Sequence, residues 1–329
     1  MKAFTVVCLL AVVSASLAGR QLHPLSDEFI AEINSKQSTW KAGRNFDISE
    51  YGLFKKLASG SKGIKNRDSL VTRLHDEDVE IPESFDSREA WPECADIIGL
   101  IRDQSRCGAC WAFAAAEAMS DRICIHSNGE RKILVSSQDV LTCTEDCGCD
   151  GGYLDIPWST WYSNGYVTGG LYNNTDQGCK SYFLPNCEDH PNRCTNYVDT
   201  PECLRQCDDT SLNYEAQKTY GQVPSAFWNE KQIKLEILKY GPVETGFTVY
   251  EDFASYKSGI YQHVSGAAEG GHAVKIIGWG VENGVKYWTI ANSWNERWGE
   301  EGFFRILRGV NECGVEDEVV SGLPDFSKF

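Results

Sequence analysis

The spacing of apolar residues along this 329-residue chain changes character from one region to the next. Lys2 precedes an apolar run, Ala3 to Val13, which ends in the small-residue site Ser16-Leu17-Ala18. This is the pattern of a secretory signal over residues 1–18, too short to span a bilayer. From Asp27 to Ile33 the spacing predicts a short amphipathic helix, and the Gly/Ser/Lys-rich stretch Ser59 to Lys65 reads as a loop. Ala109 to Ile123 lacks Gly and Pro and alternates at helical spacing, so a longer helix is predicted there. Turn signals cluster at Gly148 to Gly152 and at Gly169 to Gly170. From Val243 the pattern becomes that of strands: Val243 to Val249, Ala273 to Trp279, Tyr287 to Asn292 and Phe303 to Leu307 are β-branched or aromatic runs. Between two of them, Asn283-Gly284 is a strong hairpin signal. A helix-rich region over residues 83 to about 200, followed by a strand-rich one, makes the fold class α+β.

Composition narrows the picture. An apolar fraction of 42% supports an ordinary packed core in one large or two small domains. No stretch after the leader approaches eighteen apolar residues, so no membrane insertion is expected. The net charge of −16 is uneven: residues 19–80 hold ten basic and ten acidic side chains, and the leader adds Lys2, leaving −17 for residues 81–329. Such a surface argues against nucleic acid or an anionic membrane as partner, because both need clustered Lys and Arg. It suits an acidic organelle or gut lumen. Of 14 cysteines, thirteen follow the leader and none lies in residues 19–80, which marks a boundary near residue 80. Secretion permits disulfides, and an odd thirteen leaves at least one free thiol. A zinc site at Cys143, Cys147 and Cys149 lacks a second matching pair, so no metal or cofactor is expected.

Cys110 carries the chemistry. At the start of the predicted helix, unpaired N–H groups and the helix dipole favour a thiolate, which is a nucleophile. A disulfide half or a buried core thiol is the plainer reading of a lone cysteine. Gln104 stands six residues before it, within Gln104-Ser105-Arg106-Cys107-Gly108-Ala109-Cys110-Trp111, and His272 and Asn292 follow in Gly270-Gly271-His272 and Asn292-Ser293-Trp294. This set resembles the papain-like cysteine proteases, and among them the cathepsin B-like group, over nearly all of the chain after residue 80.

The resemblance implies a two-lobed papain-like fold, a helical lobe and an antiparallel β-barrel-like lobe, with Cys110 and His272 on opposite walls of a cleft. It implies a Cys110 thiolate beside a His272 imidazolium, Asn292 orienting the ring, and Trp294 shielding that bond. Gln104 and the Cys110 N–H would receive the oxyanion. Gly151 and Gly152 would pair with the substrate strand, and Glu318 would floor the pocket for the second side chain before the cut. Ala109 departs from the usual Ser without removing a catalytic group. A catalytically silent binding protein of the same fold is the alternative.

Residues 19–80 resemble an inhibitory propeptide that lies through the cleft in reverse, with the mature peptidase at 81–329. By the same resemblance the disulfides join Cys94 to Cys124, Cys107 to Cys149, Cys143 to Cys203, Cys179 to Cys207 and Cys187 to Cys194. Thr144 replaces the usual partner of Cys147, and Cys110, Cys147 and Cys313 are left single. In the occluding-loop segment Cys187 to Cys194, Asp189 replaces the first of two histidines while His190 keeps the second. Asp189 would then face Asp103, and Arg193 would face Arg297, unless Asp189 or Glu188 meets Arg297 instead. An endopeptidase with weakened removal of C-terminal dipeptides is expected. Protein and peptide substrates, the chain's own propeptide and cystatin-like inhibitors are the implied partners of a monomer, lysosomal or secreted. Asn173 begins a glycosylation sequon.

Overall fold

The computed structural model of the protein describes residues 22–76, 78–145, 147–187, 194 and 198–329. The leader expected at residues 1–18 and the loop residues Glu188, Asp189, His190 and Arg193 lie outside them.

The chain enters through α1 (Asp27–Lys36), where the Ser26 hydroxyl accepts from the Phe29 N–H and caps the first turn. The helix is one turn longer than its apolar spacing predicts because Asn34, Ser35 and Lys36 continue it as a solvent-facing end. Strand β1 (Trp40–Ala42) and helix α2 (Tyr51–Leu57) follow, and Phe29, Ile33, Trp40 and Phe54 are buried with Trp294, Trp298 and Phe253 in one apolar cluster. Each such side chain contributes roughly 2 to 3 kcal/mol by burial. β2 (Val71–Thr72) and β3 (Phe85–Asp86) lead to the short helices α3 (Ser87–Ala90) and α4 (Ala95–Ile98).

Helix α5 (Cys110–His126) is the axis of the helical part and is buried all round, from Cys110 through Ile125. Helices α6 (Ser137–Cys143) and α7 (Asp155–Ser163) and a small pair of strands, β4 (Tyr166–Val167) and β5 (Lys218–Thr219), complete that part. The main sheet takes β6 (Ser225–Phe227), β7 (Val243–Tyr250), β8 (Tyr256–Tyr261), β9 (Ala268–Glu282), β10 (Val285–Ala291), β11 (Phe303–Leu307) and β12 (Val319–Ser321). Helix α8 (Glu230–Tyr240), which the sequence reading missed, starts at Asn229, whose side chain accepts from the Gln232 N–H at 2.9 Å. The predicted hairpin forms: Glu282 pairs with Val285, and Asn283 and Gly284 turn at φ of 50° and 81°.

The expected strand-rich lobe forms as an open, mainly antiparallel sheet. Its strand order is β1-β8-β11-β10-β9-β7-β12-β6-β2, with β3 on β9, and it does not close. Two pairings, β8–β11 and β2–β6, are parallel; the others are antiparallel. Both ends are strands from the first 80 residues, which cover edges that would otherwise offer unpaired backbone.

Candidate active site

Cys110 is the first residue of α5 and fully buried. The loop before it is fixed from both sides: Cys107 is bridged to Cys149, and the Gly108 N–H donates to the Cys149 carbonyl at 2.9 Å. Trp111 Nε1 donates to the Gly148 carbonyl at 3.1 Å, and a Cβ on Gly152 would stand 2.5 Å from the Trp111 ring, so only glycine lets the backbone pass.

His272 lies on β9, opposite Phe247 of β7. Its Nε2 is 2.7 Å from Asn292 Oδ1, its ring centroid is 4.7 Å from that of Trp294, and all three side chains are buried. The other nitrogen, Nδ1, has no close hydrogen-bond partner among the described residues, and the Leu57 carbonyl approaches the ring. The Ala273 N–H, one residue further along β9, reaches the Cys110 thiol and places the two walls together.

Both groups are nevertheless held neutral. Burial pushes the Cys110 thiol up to about 12, against the pull of the Ala273 and Trp111 N–H groups. Burial also presses His272 down to about 4, although the Asn292 bond favours the charged ring. What buries them is the chain itself. A Cβ on Gly60 would lie 2.6 Å from Cys110 Sγ and 2.7 Å from the Gly108 carbonyl, so residue 60 sits directly on the sulfur. On either side of it, Gly60 O accepts from the Gly152 N–H at 2.9 Å, the Ser61 N–H donates to Gly271 O at 2.8 Å, and the Lys62 N–H donates to Gly152 O at 2.8 Å. Ser61 and Gly152 form a parallel bridge. Beyond it, Gly63 and Arg67 border a cavity of ≈270 Å³ that Glu318 also lines, and Arg67 Nη2 stands 3.5 Å from Glu318 Oε1.

Gln104 is buried and its amide is fixed: Nε2 donates to Cys107 O at 2.9 Å and Oε1 accepts from Ser293 Oγ at 2.7 Å. One Nε2 hydrogen is left to face a developing charge. Ser293, Gly60 and Arg67 escaped the sequence reading; nothing local signals that a hydroxyl next to Asn292 will orient a glutamine 189 residues away.

Five disulfides form, Cys94–Cys124, Cys107–Cys149, Cys143–Cys203, Cys179–Cys207 and Cys187–Cys194, and Cys110, Cys147 and Cys313 are free thiols. With Cys143 and Cys149 bridged, the zinc reading has no ligand set. Thr144 is buried and donates to the Val140 carbonyl at 2.6 Å. Asp103 is engaged at the base of the Cys187–Cys194 loop, accepting from the Cys187 N–H at 3.1 Å and the Asn295 amide at 3.3 Å. Asp189, expected to face it, lies outside the described residues, as do Glu188, His190 and Arg193 of the same loop. Asn173 is exposed on a turn, with φ of 56°.

Comparison with known proteins places this geometry. Residues 81–323 match the Papain family cysteine protease domain, and residues 25–58 match the Peptidase family C1 propeptide. A cathepsin B-like cysteine proteinase of Schistosoma japonicum is 45% identical over 92% of each chain, and cathepsin B-like cysteine proteinase 6 of Caenorhabditis elegans is 45% identical over 92% of this chain and 84% of its own. Among solved structures, proCathepsin B S9 from Trypanosoma congolense superposes with a TM-score of 0.81 at 35% identity, covering 92% of this chain and all of that one. The digestive procathepsin L2 of Tenebrio molitor shares the fold, with a TM-score of 0.69 at 23% identity over 90% of this chain and 89% of its own. With a propeptide laid over its own cysteine, this chain belongs to the papain family of cysteine proteases, as a cathepsin B-like peptidase made in zymogen form.

Proposed function

We propose that Cys110 and His272 become a thiolate–imidazolium pair only when residues 19–80 leave the cleft, and that the pair then hydrolyses peptide bonds. The observation that carries this is the seat of Gly60 on the sulfur, which deprives both groups of the water that would stabilise their charges. Once water returns, opposite charge and the start of α5 favour the pair. The thiolate attacks the substrate carbonyl carbon, and the oxyanion receives the Gln104 amide and the Cys110 N–H. His272 gives its proton to the leaving amine, and a thioester remains. Water, deprotonated by His272, then attacks the thioester carbon, the carbon–sulfur bond breaks, and the acid leaves with the Cys110 thiolate and the His272 imidazolium restored. Asn292 holds the ring throughout by the 2.7 Å bond, under Trp294. A catalytically silent binder of the same fold is not favoured, since every group these steps need is present.

The processing scheme is a signal over 1–18, an inhibitory segment over 19–80 and a mature enzyme from residue 81. Labelling the acid-activated protein with iodoacetamide, followed by mass spectrometry, tests both halves of the proposal. The label belongs on Cys110 of a chain beginning near Ile81; a label confined to Cys147 or Cys313 contradicts it.

Glu318 is assigned to the pocket for the second side chain before the cut, where Arg67 of the prosegment now stands. Replacing Glu318 by Ala should reduce cleavage after Arg-Arg more than after Phe-Arg; equal losses would remove that role. The loop closed by Cys187 and Cys194 is proposed to hold substrate C-termini weakly, because Asp189 and Arg297 replace the residues that tie it down in related enzymes. Internal cleavage is then retained and dipeptide removal reduced, with His190 as its residual anchor. A strong preference for free over amidated C-termini would refute this. An N-glycan at Asn173, cystatin-like inhibitors as partners, a monomeric state and a lysosomal or secreted site of action complete the proposal. A glycosidase-sensitive mass, inhibition by a cystatin, the sedimentation coefficient and immunolocalisation test these in turn.

A further inference from the structure

The prosegment does not release its hold at the cleft. Past Arg67, β2 pairs in parallel with β6, Val71 opposite Ser225 and Thr72 opposite Ala226, and the Val71 N–H donates to Pro224 O at 3.2 Å. With β2 removed, β6 becomes the edge of the main sheet. Three residues on, His75 enters a niche against α8. Its N–H donates to Gln232 Oε1 at 2.8 Å and its carbonyl accepts from Gln232 Nε2 at 3.3 Å, so one side chain grips the backbone from both sides. The imidazole stacks on Phe227, with centroids 5.8 Å and planes 10° apart, and its Nε2 lies 2.8 Å from Glu236 Oε2. Arg73 spreads over Tyr240 at 5.2 Å, with Nη1 3.6 Å from Glu236 Oε1.

Glu236 makes this more than a resting place. Its side chain is wholly buried, and Oε1 already receives Arg122 Nη1 at 2.9 Å and Ser321 Oγ at 2.8 Å. Burial alone would neutralise it, but Arg122, His75 and Arg73 hold it down to about 2. When the segment leaves, a buried charged oxygen loses its hydrogen-bond donor, an aromatic shelf loses its cover, and a strand edge opens beside them. Strand addition supplies binding without regard to sequence, whereas the carboxylate between Phe227 and Tyr240 selects side chains. A cavity of ≈240 Å³ extends the niche along Leu235, Leu238 and Lys239 to Val79.

We propose that the niche formed by β6, Phe227, Gln232, Glu236 and Tyr240 is a second peptide-binding site of the processed enzyme, outside the catalytic cleft. It takes an extended segment bearing Arg and His two residues apart, and its occupant is the released stretch 71–76, rebinding from solution. The inference rests on the reading that processing near residues 80–82 frees that stretch.

A labelled peptide of residues 68–78, which omits the cleft-lying strand, tests it by fluorescence anisotropy on acid-processed enzyme whose N-terminus has been verified by mass. The expected result is saturable binding that is unchanged after Cys110 is blocked with iodoacetamide. Peptides carrying His75→Ala or Arg73→Ala, and enzyme carrying Gln232→Ala, should bind about tenfold more weakly, with the Gln232→Ala turnover of a small substrate unchanged. No binding, equal binding of the His75→Ala peptide, displacement by a cleft-directed inhibitor, or retention of residues 71–76 on the processed enzyme each overturns the proposal. Binding is read without turnover, so an enzyme that binds the peptide yet cleaves nothing contradicts the peptidase reading alone.

Discussion

The sulfur of Cys110 lies between a floor and a roof of different construction. The floor, Cys107 to Phe113, is buried throughout, carries a disulfide, and continues into a helix enclosed on every side. The roof, Ser59 to Arg67, is half in water: only Gly60 is buried, and the stretch is held by backbone hydrogen bonds, by the Asp155 carboxylate that accepts from the Lys65 and Asn66 N–H groups, and by the Arg67–Glu318 pair. Each such bond contributes about 1 kcal/mol net, whereas a floor side chain moved out of place costs several. On the proposed reading, catalytic geometry is built into the part that stays, and silence into the part that can leave. Changes to the floor should alter turnover; changes to the roof should alter latency and leave turnover alone.

The largest departure is expected from the floor. Replacing Gln104 by Ala removes an oxyanion donor and should lower kcat of the processed enzyme by about 10²- to 10³-fold with little change in KM. An unchanged kcat would mean that the Ser293–Gln104 contact is only a packing feature.

A smaller effect tests the roof alone. Gly60→Val sets a Cβ 2.6 Å from the sulfur and 2.7 Å from a backbone carbonyl. A peptide of residues 22–67 with that change should inhibit the processed enzyme about 10- to 100-fold less than the native peptide. Equal inhibition would show that the segment does not bind with Gly60 over Cys110.

The same division separates what the sequence displays from what it hides. The start of α5, the Asn283-Gly284 hairpin and the strands around His272 are local events, written in helix propensity, turn chemistry and two-residue alternation. Cys110 and Gln104 could be named because they share one short motif, and His272 and Asn292 because Gly270-Gly271-His272 and Asn292-Ser293-Trp294 extend the same family resemblance. Helix α8 was missed although Asn229 and the spacing of Ile233 and Ile237 mark it, because its charged face of Glu230, Lys231 and Lys234 dilutes the apolar signal. The roof contacts were beyond reach for another reason. Arg67 with Glu318 and His75 with Glu236 are exposed-looking charges whose partners lie 251 and 161 residues away, and only the folded chain brings them together. Strand runs likewise do not reveal that strands from the first 80 residues, Trp40–Ala42 and Val71–Thr72, cap both edges of the sheet.

The central claim is that the roof keeps sulfur and imidazole uncharged, and the ultraviolet absorbance of the thiolate measures it directly. Titrated between about pH 5 and 8, the processed enzyme should show a thiolate signal that Cys110→Ala removes, while the intact chain shows none. An equal thiolate signal in the intact chain would contradict the account.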